Sequence, residues 1–324
     1  MISLIRFAQF SILFSWFLLL SRGTAFGATI FTGSPKYNIS QRTLINDAPY
    51  QVSVRLKVYE QLGGYGYGHL CGGAVISQKT VVTAAQCALN TAVMTRTYRD
   101  PEEYTLVMGG SFLLEKNAYV LQYDVQEILP HPQFNSTSLD NDIALLFIDG
   151  EIPWLWPTVR PISLQTIAVA SNSTCRFGGW GKMIWQQSSL SDVLLMASIP
   201  MVGYTACYKN YGFIPVGMLC AGYMQGGVDA CEGNSGAPLV CNGLLTGIAS
   251  WGISCGRPGY PGIYTNISNY ISWIQTVNTS VKSSDTISSE ISSSGTSKLM
   301  ADFFTAFMFY GFFELTEFGL KTFI

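Results

Sequence analysis

Eight cysteines, Cys71, Cys87, Cys175, Cys207, Cys220, Cys231, Cys241 and Cys255, lie in one stretch of the chain, and none lies outside it. An even set of this kind points to a disulfide-bonded domain made in an oxidising compartment. The set alone leaves on the order of 100 pairings open. The start of the chain agrees on the compartment. "MISLIRF" carries one arginine and leads into the uncharged "AQFSILFSWFLLL", followed by small residues in "SRGTAFGA". This is the pattern of a secretory signal over residues 1–27, leaving 28–36 as a short pro-segment. Asn38, Asn135, Asn172, Asn266 and Asn278 each open an Asn-x-Ser/Thr triplet without a central proline. Such triplets are N-glycan acceptors on a secreted chain.

Between the signal and residue 277, short alternating or β-branched runs recur: "YQVSVRL", "GGAVIS", "YTLVMGG", "DIALLFI", "LLTGIAS" and "GIYTNI". Gly, Pro and Asn clusters separate them, which predicts an all-β sandwich or barrel. Only "YISWIQTV" has helical spacing, with Ile271, Ile274 and Val277 on one face. The chain is 48% hydrophobic and 12% charged with a formal charge of −2, so it can fill a core and offers nucleic acid no basic surface.

Four stretches carry the chemistry, in order: "LCGGAVISQKTVVTAAQC", "LDNDIALLFI", "DACEGNSGAPLVC" and "SWGISCGRPGYPGIYTNI". Together they resemble the trypsin/chymotrypsin family of serine proteases over residues 37–277. The resemblance implies two packed six-stranded antiparallel β-barrels, a cleft between them and a short C-terminal helix. It also implies the pairings Cys71 with Cys87, Cys175 with Cys241, Cys207 with Cys220, and Cys231 with Cys255. With every cysteine used, no metal or cofactor is implied.

In that family a serine attacks a peptide carbonyl, a histidine takes and returns its proton, and a buried aspartate orients the histidine. Ser235 matches the nucleophile and Asp142 the orienting acid, but the histidine position holds Gln86. An amide neither accepts nor returns a proton at useful pH. Gln86 is expected instead to donate to Asp142 and face Ser235. His69 and His131, the two histidines of the chain, read as groups that do not act as the base. The oxyanion donors match the backbone N–H groups of Gly233 and Ser235.

A second departure concerns activation. The resemblance implies a cut whose new amino terminus pairs with the aspartate before the nucleophile. Here a cut at Lys36 would expose Tyr37, and the aspartate is Asn234. A buried ammonium opposite a neutral amide lacks its counter-charge. Ala237 stands where the family usually has glycine. The specificity pocket keeps its pattern: Asp229 matches the acid at the floor of trypsin-like pockets, and Gly252 and Gly262 match the small wall residues. Ser250 to Gly252 match the edge that adds a strand to an extended peptide.

Beyond the domain, residues 278–298 read as a Ser-rich linker and 299–324 as a Phe-rich tail. The uncharged run from Phe303 to Phe313 is short for a bilayer span, and membrane association of the tail is left open. The sequence thus predicts a secreted, extracellular serine protease homologue that is not an enzyme. It would act on extracellular proteins by binding, as a cofactor, decoy or regulator. Proteases, their inhibitors and Arg- or Lys-containing peptides are the expected partners. The alternative is a weak trypsin-like endopeptidase cleaving after Arg or Lys, resting on the retained Asp142, Ser235 and Asp229.

Overall fold

The computed structural model describes residues 40–91, 97–184 and 186–278. The signal and pro-segment, Tyr37, Asn38, the linker after Asn278 and the Phe-rich tail lie outside the described residues.

The short runs form two closed antiparallel barrels. The first is built from β2 (Gln51–Leu56), β3 (His69–Val75), β4 (Thr80–Thr83), β5 (Tyr104–Met108), β6 (Leu121–Pro130) and β7 (Ala144–Ile148), joined in the order β2-β3-β4-β7-β6-β5. The second uses β8 (Thr174–Gly179), β9 (Leu195–Val202), β10 (Met218–Ala221), β11 (Pro238–Cys241), β12 (Leu244–Trp251) and β13 (Gly262–Asn266). It runs β9-β10-β13-β12-β11-β8, and β8 pairs back to β9 to close it. A short β1 (Gln41–Arg42) adds to β9. Closure leaves no long unpaired edge, which suits strands as apolar as "ALLFI" and "QVSVRL", buried at every position.

One apolar cluster fills the first barrel with Val52, Val54, Leu106 and Leu145 and takes in Trp180, Leu194 and Met196 from the second. The two barrels therefore share a packed boundary, and the site is built on it. At that boundary Gly72 on β3 donates its N–H to the Ser235 carbonyl at 2.8 Å. Gly236 has φ of +80°, and a Cβ there would collide with Thr83 Oγ1 and the Gly72 carbonyl. Only glycine lets the turn around Ser235 approach the first barrel so closely.

The helix expected near the C-terminus is present over residues 271–278. Ile274 is fully buried, and Ile271 and Val277 pack beside it on the core. Two helices have no counterpart in the sequence reading: α1 (Lys57–Gly63) and α2 (Tyr204–Tyr211). Neither shows a long apolar stripe; α1 has no buried residue and α2 buries only Cys207. The disulfides are Cys71–Cys87, Cys175–Cys241, Cys207–Cys220 and Cys231–Cys255, with no free cysteine among the described residues.

Phe177 is fully buried in the second barrel and meets Tyr264 edge to face at 5.8 Å. Phe177→Ala should lower the unfolding free energy by about 3–5 kcal/mol, measured by urea denaturation with the disulfides intact.

Candidate active site

The cleft gathers groups from distant parts of the chain. Gln86 lies in the turn Ala85–Ala88 after β4, Asp142 just before β7, and Ser250 near the end of β12. Asp142 has no exposed surface. Its Oδ1 accepts the Gln86 backbone N–H at 2.8 Å, and its Oδ2 accepts Gln86 Nε2 at 2.6 Å and Ser250 Oγ at 2.5 Å. The Ala85 N–H adds a further bond to the carboxylate. Burial pushes the Asp142 carboxyl above the usual range, and these neutral donors oppose that shift.

The Gln86 side chain is a donor here on both hydrogens. The second hydrogen on Nε2 goes to the Ser250 carbonyl at 2.7 Å. The amide thus bridges the two barrels through Asp142 and Ser250. No side chain among the described residues hydrogen-bonds the Ser235 hydroxyl.

Both histidines are engaged away from the Ser235 hydroxyl. His69 at the start of β3 is tied at both nitrogens, Nδ1 to Ser53 Oγ at 2.8 Å and Nε2 to the Gly233 carbonyl at 3.0 Å. Burial pulls its pKa down to about 4, so it is neutral at physiological pH. His131 packs edge-on against Tyr270 and Trp273.

Ser235 lines a cavity of about 180 Å³ with Ala230, Ser250, Trp251, Gly252 and Ile263. The Cys231–Cys255 disulfide forms part of its wall. Asp229 stands behind this lining and is almost wholly buried. Its carboxylate accepts the N–H groups of Ala230 at 2.8 Å and Gly256 at 3.1 Å, and also bonds the Gly262 backbone. A Cβ on Gly262 would lie 2.6 Å from Asp229 Oδ1, so no side chain fits between them. Gly252 borders open space, its nearest such neighbour being the Ser254 carbonyl at 3.8 Å. The Tyr264 hydroxyl, close to Asp229, is buried without a hydrogen-bond partner. Burial pushes the Asp229 carboxyl up to about 6.

The trypsin family model matches residues 39–274, a span that holds the whole cleft. The chain belongs to the trypsin family. It is similar to trypsin I-P1 of Gallus gallus, 36% identical over 230 residues covering 71% of this chain and 84% of the relative. It is 35% identical to a trypsin of Sus scrofa over 231 residues, covering 71% and 90%. It is 36% identical to trypsin eta of Drosophila melanogaster over 217 residues, covering 66% and 79%. Within this trypsin-like frame, the structure shows bonds the sequence did not: Ser53 and Gly233 to His69, and the Thr265 hydroxyl to the Asp142 carbonyl at 2.7 Å. No local pattern marks Ser53 or Thr265 as more than strand residues.

Of the glycan triplets, Asn135 and Asn172 are exposed, whereas Asn266 and Asn278 are partly buried. Asn266 Oδ1 accepts the Ser268 N–H, and Asn278 Oδ1 accepts the Thr80 hydroxyl.

Two outcomes follow for this site. Gln86→Ala removes two hydrogen bonds from buried acceptors and should cost about 2 kcal/mol of stability at neutral pH, read by urea denaturation. Asp229 gives a pH signature. Burial raises its carboxyl to about 6 in the folded chain against an ordinary 3.8, so its contribution is full below 3.8 and is lost as pH rises through about 6. Asp229→Asn should therefore remove this pH dependence, so that the stability of the variant relative to the parent rises by up to about 3 kcal/mol between about pH 3 and a pH above that window.

Proposed function

We propose that the protein is a secreted, extracellular serine protease homologue without catalytic activity, acting as a binding scaffold in the regulation of proteolysis. The observation that carries this reading is the fate of the two Gln86 Nε2 hydrogens, donated to Asp142 and to the Ser250 carbonyl. The position that would hold the general base holds an amide with both N–H groups taken, and among the described residues no side chain is bonded to the Ser235 hydroxyl to take its proton. In a protease with the same triad on an unrelated fold, loss of the histidine lowers turnover about a millionfold, or roughly 8 kcal/mol of barrier.

What the cleft retains fits recognition. Asp229 and the Tyr264 hydroxyl suit an Arg or Lys side chain, and β12 from Ser250 to Gly252 offers an edge for an extended peptide. The partners are extracellular proteins bearing an accessible Arg or Lys loop, as proteases and their inhibitors do. The four disulfides suit that compartment. A second reading, a weak trypsin-like endopeptidase cleaving after Arg or Lys, is favoured by the retention of Asp229, of Ser235, which lines one cavity with Ser250, and of Asp142, which Ser250 bonds.

The test is hydrolysis of an arginine thioester by the purified, disulfide-bonded chain, with Ser235→Ala as control. Rates equal in the two proteins are expected. Turnover that disappears in Ser235→Ala would make the endopeptidase reading the correct one.

A further inference from the structure

Asn234 stands where the resemblance implies a charged partner for a new amino terminus, yet both polar atoms of its side chain are bonded without one. It is 1% exposed. Its Oδ1 accepts the Gly181 N–H at 3.0 Å, and its Nδ2 donates to the Lys182 carbonyl at 2.7 Å. Its own N–H donates to the Cys231 carbonyl at 3.0 Å, and its carbonyl accepts the Ala237 N–H at 2.9 Å. The Lys182 N–H returns to the Glu232 carbonyl at 2.9 Å, so the strand end at 181–182 and the turn at 231–237 are laced together on both sides. The pocket around the amide is close: a Cβ on Gly181 would lie 2.6 Å from the Asn234 backbone nitrogen.

A second clamp acts on the adjacent peptide. The Gly233 carbonyl can only accept, so His69 Nε2 carries the hydrogen and Nδ1 accepts from Ser53 Oγ. Ser53 Oγ in turn accepts Arg55 Nε at 2.9 Å. Arg55, itself buried, donates to Glu60 and to the Leu113 carbonyl, and Glu60 accepts the N–H groups of Gly66 and Gly68. This chain of bonds fixes the imidazole without any charge at the turn. With the Gly233 carbonyl held by His69, the N–H groups of Gly233 and Ser235 have no backbone acceptor among the described residues. They are the donors that face an incoming carbonyl in such a turn.

We infer that Asn234 and His69 are positioning residues that hold the oxyanion turn and the neighbouring pocket open to ligand in the uncut chain, so that binding needs no proteolytic activation. The chemistry explains why asparagine and not aspartate serves this. An aspartate would place a carboxylate oxygen 2.7 Å from the Lys182 carbonyl, acceptor against acceptor, and bury an anion that only an incoming ammonium could offset. The amide turns that contact into a hydrogen bond and removes the charge.

The inference rests on the reading of the cleft as a binding site, and the experiment separates the two. The probe is p-aminobenzamidine, whose fluorescence reports occupancy of a pocket with an acidic floor. It is titrated into the full chain carrying Lys36→Gln, which blocks a cut before Tyr37, and into protein cut there. Hydrogen exchange of the amides in 229–237 is measured on both. Affinities within about twofold and equal protection in the two forms are expected, with Asn234→Asp at least tenfold weaker in the uncut chain while its disulfides and melting cooperativity stay intact. Binding only after the cut, or a turn protected only after the cut, overturns the inference and leaves the binding-site reading standing. Absence of binding in both forms with equal protection sinks the binding-site reading, while the turn remains held without a cut.

Discussion

A carboxylate with no exposed surface, Asp142, is the group on which the cleft depends. It sits at the boundary of the two barrels, where its charge must be met by donors from both. Gln86 and Ala85 supply donors from the first barrel and Ser250 from the second. Without the side-chain N–H at position 86 the buried carboxylate would keep Ser250 and backbone donors but lose one of its bonds. Glutamine answers the structural need of the position, an N–H directed at Asp142, and discards its chemical one, a nitrogen that can exchange protons. The protein therefore keeps the trypsin-family fold with an amide, at position 86, bonded to the buried carboxylate.

The two buried carboxylates of the cleft are handled in opposite ways. Asp142 is saturated by neutral donors and holds the barrels in register. Asp229 receives only backbone N–H groups, lies beside the unpartnered Tyr264 hydroxyl and is held partly protonated near pH 6 by burial. One carboxylate ties the two barrels together, and the other is held by backbone groups alone. Neutral groups also hold the turn around Ser235, where the Asn234 amide and an uncharged imidazole at His69 make the bonds.

Much of the fold was legible because its signals are local. Runs such as "DIALLFI" and "GIYTNI" became β7 and β13, and the amphipathic spacing of Ile271, Ile274 and Val277 became the last described helix. Helices α1 and α2 were not legible, since neither carries the apolar stripe that burial of a helix normally requires. In α1, Glu60 is held by Arg55 and by the N–H groups of Gly66 and Gly68, partners that only the folded loop brings within reach.

The residues of the cleft were named by their motifs, but what each does was a matter of three-dimensional partners. Sequence alone determined that position 86 carries a group unable to shuttle a proton and position 234 a group unable to carry charge, because both are properties of the amide itself. Only the tertiary structure decided where those amides donate: Gln86 across the barrel boundary to the Ser250 carbonyl, Asn234 to the Lys182 carbonyl. Those acceptors lie 164 and 52 residues away along the chain. A hydrogen bond is set by distance and direction in space, and no local pattern encodes either across such separations.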